Sequence, residues 1–148
     1  MSRERNFAKF GKPFQEKVFQ SMLTDTAWSA QMIEVVDPEY FDLKYLSYLC
    51  GKYFAYYQKY KTFPTLTILI TIIKEDLSKS KDVVLRDQII EYLHRMKTNP
   101  DMGDLQYVKE KSLEFCKRQA FKEALEQSVE LIQTEKYESV MNIMKQAI

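Results

Sequence analysis

The chain has 148 residues, 45% hydrophobic and 29% charged, a balance that suits one compact globular domain. Lys plus Arg number 22 against 21 Asp plus Glu, so the broad positive field that nonspecific duplex binding needs is missing. Three glycines and four prolines argue against a turn-rich all-β fold and against long flexible linkers.

Residues 1–12 are charged and read as a polar, frayed lead-in. They lack the apolar core of a signal peptide. Pro13 suits a helix start, and Phe14, Val18 and Met22 with Phe19 and Leu23 form one apolar face. Thr24-Asp25-Thr26 ends that helix and caps the next, which carries Trp28, Met32 and Ile33. Asp37-Pro38-Glu39 is a helix restart, with Asp accepting from exposed N–H groups and Pro in the first turn.

A third helix over 43–61 is loaded with aromatic residues, including Tyr53, Phe54, Tyr56, Tyr57 and Tyr60. Phe63-Pro64 stops it, because the residue before proline is pushed out of the α region. Thr65 then caps a helix through Ile68, Leu69, Ile72, Ile73 and Leu77. The β-branched run 67–73 also fits a buried strand, but no second strand is available to pair with it. The apolar run 66–73 is far shorter than the roughly 20 residues a bilayer span needs, so the expected location is cytoplasmic. A fifth helix over 83–97 is expected to turn Val84, Leu85, Ile89, Tyr92, Leu93 and Met96 inward, and Asn99-Pro100-Asp101 breaks it.

Over 104–134 no Pro or Gly interrupts, which predicts a helix of some 30 residues, about 45 Å long. One face carries Leu113, Cys116, Ala120, Ala124, Ser128 and Leu131, a seam of mostly small groups. The adjacent face carries Phe121, Leu125, Val129 and Ile132. Glu135-Lys136-Tyr137 can turn the chain into a short return helix with Val140, Ile143, Met144 and Ala147, making an αα-hairpin. The expected architecture is all-α: a lead-in (1–12), a bundle of about five helices (13–101) and a long C-terminal αα-hairpin (102–148). The end at Ile148, within that last helix, suggests a piece of a longer protein.

Motifs of chemistry are missing. No Gly-rich phosphate loop is present, His94 is the only histidine, and no cofactor is called for. Cys50 and Cys116 read as reduced packing residues of an intracellular protein, and a Cys–His pair with His94 has no local signature. Tyr56, Tyr57 and Tyr60 beside Lys59 and Lys61 could stack single-stranded bases, although helical spacing makes packing the simpler reading. The small-residue seam is the sharper lead. A rod of this length outreaches a bundle some 25–30 Å across, so Leu113, Cys116, Ala120, Ala124, Ser128 and Leu131, with Val140 and Ile143, form the expected self-association interface.

The order of these features resembles the N-terminal domain of DnaB-like replicative helicases, particularly those encoded by phages. The resemblance covers residues 14–148. It rests on the run from Phe14 to Leu23, on Asp37-Pro38-Glu39-Tyr40-Phe41, on the Tyr45–Tyr60 helix, on Phe63-Pro64-Thr65 before a leucine/isoleucine helix, and on the closing hairpin. It implies a non-catalytic collar domain of an ATP-dependent DNA helicase. Such domains pair through their hairpins, three pairs making a ring above a hexamer of ATPase domains, and many touch primase or a helicase loader. DNA contact would then be weak or indirect. Gly51, unusual inside a helix, would mark close approach of a neighbouring helix. A free-standing helicase-loading or single-stranded-DNA-binding accessory protein is the alternative.

Overall fold

The computed structural model describes residues 5–134 and 137–147. Among them are seven α-helices, two 3-10 turns and no strand. In chain order the helices are α1 (Lys12–Thr24), α2 (Thr26–Met32), α3 (Lys44–Tyr60), α4 (Leu66–Leu77), α5 (Val83–Thr98), α6 (Leu105–Gln133) and α7 (Tyr137–Ala147). The run over 67–73 is therefore helical. Contacts divide the chain into two compact units, Met1–Lys109 and Glu110–Ile148. The sequence placed this boundary after residue 101. The first turn of α6 belongs to the first unit because Val108 is buried and Lys109 donates to Asp25 at 3.0 Å.

Local signals set the helix ends. Asp25 accepts from the Trp28 amide and starts α2, and Thr65 accepts from the Ile68 amide and starts α4. Asp82 does the same for α5 through the Leu85 amide. Lys61, left-handed at φ 60°, closes α3 through a bond from its amide to the Tyr57 carbonyl. At Asp37-Pro38 the restart yields only the 3-10 turn Pro38–Tyr40. The first residue of α3 is preceded by Leu43, which has no capping side chain, and Gln15 of α1 holds the chain leading into it. Its Oε1 accepts from the amides of Asp42 (2.9 Å) and Leu43 (3.3 Å).

In the first unit α1 packs on α2 and α3, α3 on α5, and α5 on α4. Phe19 of α1 is the centre. Its ring meets Phe41 and Tyr53 edge-on at 6.5 and 5.5 Å and lies 6.3 Å from Tyr92. Burying such a ring contributes about 2–3 kcal/mol, and each ring pair about 0.5–1.5 kcal/mol more. Buried tyrosine hydroxyls then need partners, and α1 supplies them: Tyr53 donates to the Met22 carbonyl at 3.1 Å and Tyr92 to the Glu16 carbonyl at 2.7 Å.

Three expectations fail here. The lead-in is ordered from residue 5 to residue 10: Asn6 caps a 3-10 turn over Phe7–Phe10, and Phe7 is fully buried against Phe14, Tyr40 and Phe41. Its charge pattern hid two phenylalanines that the aromatic cluster captures. Residues 1–4 of the lead-in lie outside the described residues. Val84, expected inside, is 70% exposed, because α5 begins at Val83 and its first turn is exposed at both positions. Gly51 meets no atom within 4 Å of where a Cβ would stand, so no helix approaches it closely.

The second unit contains the rest of α6 and α7. Cys116, Ala124 and Ser128 are buried, as are Ser112, Phe115 and Gln119. On α7 Val140, Ile143, Met144 and Ala147 are half-buried on one side, as their spacing requires. Glu135 and Lys136 of the expected turn lie outside the described residues.

Candidate interaction surfaces

At 29 residues α6 is about 44 Å long. Its two apolar faces differ in fate. The expected interface seam is largely covered within one chain: Cys116 is fully buried, Ala124 and Ser128 are 5% exposed, and Leu113, Ala120 and Leu131 are half-buried, as are Val140 and Ile143. Small side chains present little surface and are covered first. The neighbouring face is the open one. Phe121, Leu125, Val129 and Ile132 follow one another at helical spacing and are 43–56% exposed. A contiguous exposed apolar stripe is the mark of a protein contact, whereas scattered exposed residues are ordinary. The sequence pattern contained both faces but could not rank their accessibility.

The aromatic end of α3 is mostly occupied with itself. Phe63 stacks on Tyr53 (4.9 Å) and on Tyr57 (4.3 Å), both rings within about 22° of parallel to it. Tyr56 lies 4.6 Å from Tyr60, and the Lys59 ammonium sits 5.2 Å over the Tyr60 ring. Lys59 and Lys61 are exposed, yet of the three candidate rings only Tyr60 is well exposed, at 55%. Stacking on bases needs open ring faces, and most of these are already used.

A polar knot that the sequence did not reveal joins α1, α3 and α5. The Glu16 carboxylate accepts from Tyr45 at 2.7 Å and from Arg95 Nη1 and Nη2 at 3.2 and 2.8 Å. Arg95 Nε also donates to Glu91 at 2.7 Å. Burial pushes the Glu16 carboxyl up, but the bonds from Arg95 and Tyr45 and the Arg95 charge outweigh it, leaving it below its ordinary value. Burial, then the Glu16 bond, raises the Tyr45 phenol above its ordinary range. Open clefts flank the knot on both sides, one lined by Lys12, Asp87 and Gln88, the other by Pro13, Lys17 and Asn99. A carboxylate held charged by three donors is a tie between helices and a poor proton donor or acceptor at neutral pH. The clue was Gln15, Glu16 and Gln20 set among the apolar residues of α1. All three are buried.

The loop before α6 is tied to α1 in the same way. Lys17 Nζ donates to the carbonyls of Asp101 (3.0 Å) and Gly103 (2.7 Å), and Gln20 donates to the Asp101 carbonyl at 2.8 Å. Lys109 reaches Asp25 and lies 5.5 Å over the Trp28 ring. Together they hold the loop 101–103 and the first turn of α6 within the first unit.

Neither cysteine is set up as a nucleophile. Cys50 and Cys116 are buried thiols with no disulfide between them, and burial pushes Cys116 up to about 12, the reverse of an activated nucleophile. His94 is exposed in the last turns of α5. No group of three or more His, Cys, Asp or Glu among the described residues could hold a metal ion. No helix among them is long and apolar enough to cross a membrane. No family model, curated protein or solved structure matches the chain.

Proposed function

We propose that this chain is a non-catalytic self-association and docking domain, of the kind that forms the N-terminal collar of DnaB-like replicative helicases. The observation that carries the reading is the exposed stripe Phe121, Leu125, Val129 and Ile132 on a 29-residue helix. The occupant is a second copy of the same helix, because a stripe centred on Leu125 can pair with itself about a two-fold axis. Two copies related by a two-fold axis run antiparallel, so the same stripe is presented by both. With the axis near Leu125, Phe121 of one copy meets the region of Val129 and Ile132 on the other. The interface thus shifts from the small-residue seam, which the chain covers itself, to the face beside it. Dimers of this kind are the unit from which a hexameric collar is built, and the first unit remains available to primase or a helicase loader.

The test is the mass of the full chain in solution. Leu125→Glu with Val129→Glu is expected to give a 17.7 kDa monomer with unchanged helical circular dichroism, whereas the parent forms a dimer or a multiple of one. A double variant that keeps the parent's mass, or a parent that stays monomeric at high concentration, removes the reading.

A further inference from the structure

Between α4 and α5 lies an apolar cavity of about 130 Å³. Its walls are Ile70 and Ile73 from α4 and Ile90 and Leu93 from α5. Ile73 and Leu93 form a buried floor, and Ile90, 40% exposed, stands at the mouth. Such a volume is close to that of the ~150 Å³ apolar cavities that take up a benzene-sized guest, so one branched aliphatic side chain fits.

The rim is cationic. Lys74 follows Ile73 on α4, and His94 and Lys97 lie one residue and one turn beyond Leu93 on α5. No carboxylate lines the cavity. All three rim residues are exposed, and none forms an ion pair among the described residues. Two nearby acids are engaged elsewhere: Asp76 with Tyr48 and Lys52, Glu91 with Arg95.

We infer that this cavity is a docking site for an acidic segment of a partner protein, with one aliphatic side chain in the hole and carboxylates on Lys74 and Lys97. Charge complementarity selects the partner. The cations stand on two different helices, so several carboxylates spread along a chain satisfy them better than one. The lining holds no Phe, Tyr or Trp ring on which a base could stack, which disfavours a single-stranded nucleic acid. His94 adds an N–H donor to the same rim. The cavity lies entirely within the first unit and does not involve the exposed face of α6, so this inference and the self-association reading fail independently.

The experiment is a fluorescence-anisotropy titration of the full chain with a labelled peptide carrying one leucine among aspartates. Saturable, salt-sensitive binding is expected. It should weaken about tenfold in Lys74→Glu/Lys97→Glu, where two attractive rim contacts become repulsive. Replacing the peptide's leucine by serine should weaken it to a similar extent, since the cavity is then left unfilled. Lys59→Glu/Lys61→Glu, which changes the same charge on the end of α3, should bind as the parent does. The altered positions are exposed, so folding is not at stake. Absence of saturable binding, equal binding by the rim variant, or indifference to the leucine would each overturn the proposal. So would displacement of the peptide by oligothymidine at lower concentration than by unlabelled peptide.

Discussion

Arg95 on α5 grips Glu16 on α1 through both terminal nitrogens, at 3.2 and 2.8 Å, while its Nε holds Glu91 at 2.7 Å. One guanidinium thereby spans two carboxylates on two helices, and the Glu16 end is the more protected, at 12% side-chain exposure. Arg95→Lys keeps the charge but cannot reproduce the fork. Because Arg95 is 40% exposed and partly screened, the expected loss is modest, about 1 kcal/mol. Urea unfolding should show a lower midpoint at unchanged slope. A midpoint equal to the parent's would mean that water replaces the fork without cost.

The same knot sets a pH window. The Glu16 carboxyl lies below its ordinary value in the folded chain, so the stability it contributes is present above about pH 4.3 and is lost as pH falls through the folded value. At the other end the Tyr45 and Tyr92 phenols are raised, first by burial and then by Glu16. The unfolded chain ionises them from about pH 10 while the folded chain does not, so stability falls above that pH. Thermal melting should therefore decline on both sides of neutrality. Glu16→Gln should flatten the acid limb, and an acid limb identical to the parent's would assign it to other carboxylates.

Gly51 sits in the interior of α3 with open space where a side chain would begin. Gly51→Ala removes backbone freedom from the unfolded chain and meets nothing in the folded one. A gain of about 0.5–1 kcal/mol is expected, raising Tm by a few degrees. A lower Tm would reveal a neighbour in solution that comes closer than this structure shows.

Ser128 presents the opposite case, a buried hydroxyl on α6 without a hydrogen-bond partner among the described residues. Such a group costs about 1–3 kcal/mol of desolvation. Ser128→Ala keeps the small volume of the seam and removes that cost, so it should raise Tm or leave it unchanged. Loss of stability would show that the hydroxyl is bonded in solution.

Much of the helical framework was legible in the sequence because its signals are local. Pro13, Asp25 and Thr65 start helices through donors and dihedrals within a turn of themselves, and Phe63-Pro64 ends α3 by a clash between adjacent residues. The 3.6-residue period likewise assigned Val18, Leu49, Ile73 and Ile89 to inner faces, where they are buried. What remained was decided by distant parts of the chain. Phe7 became core because Tyr40 and Phe41 stand where its ring can pack. Glu16 became a buried tie because Arg95, 79 residues later, reaches it. On α6, periodicity drew two apolar faces, and only the folded chain determined that the slim one is covered and the bulky one left open. Spacing along a helix fixes which side chains share a face. Which face meets protein and which meets water depends on packing between segments far apart in sequence, and only the tertiary structure carries that.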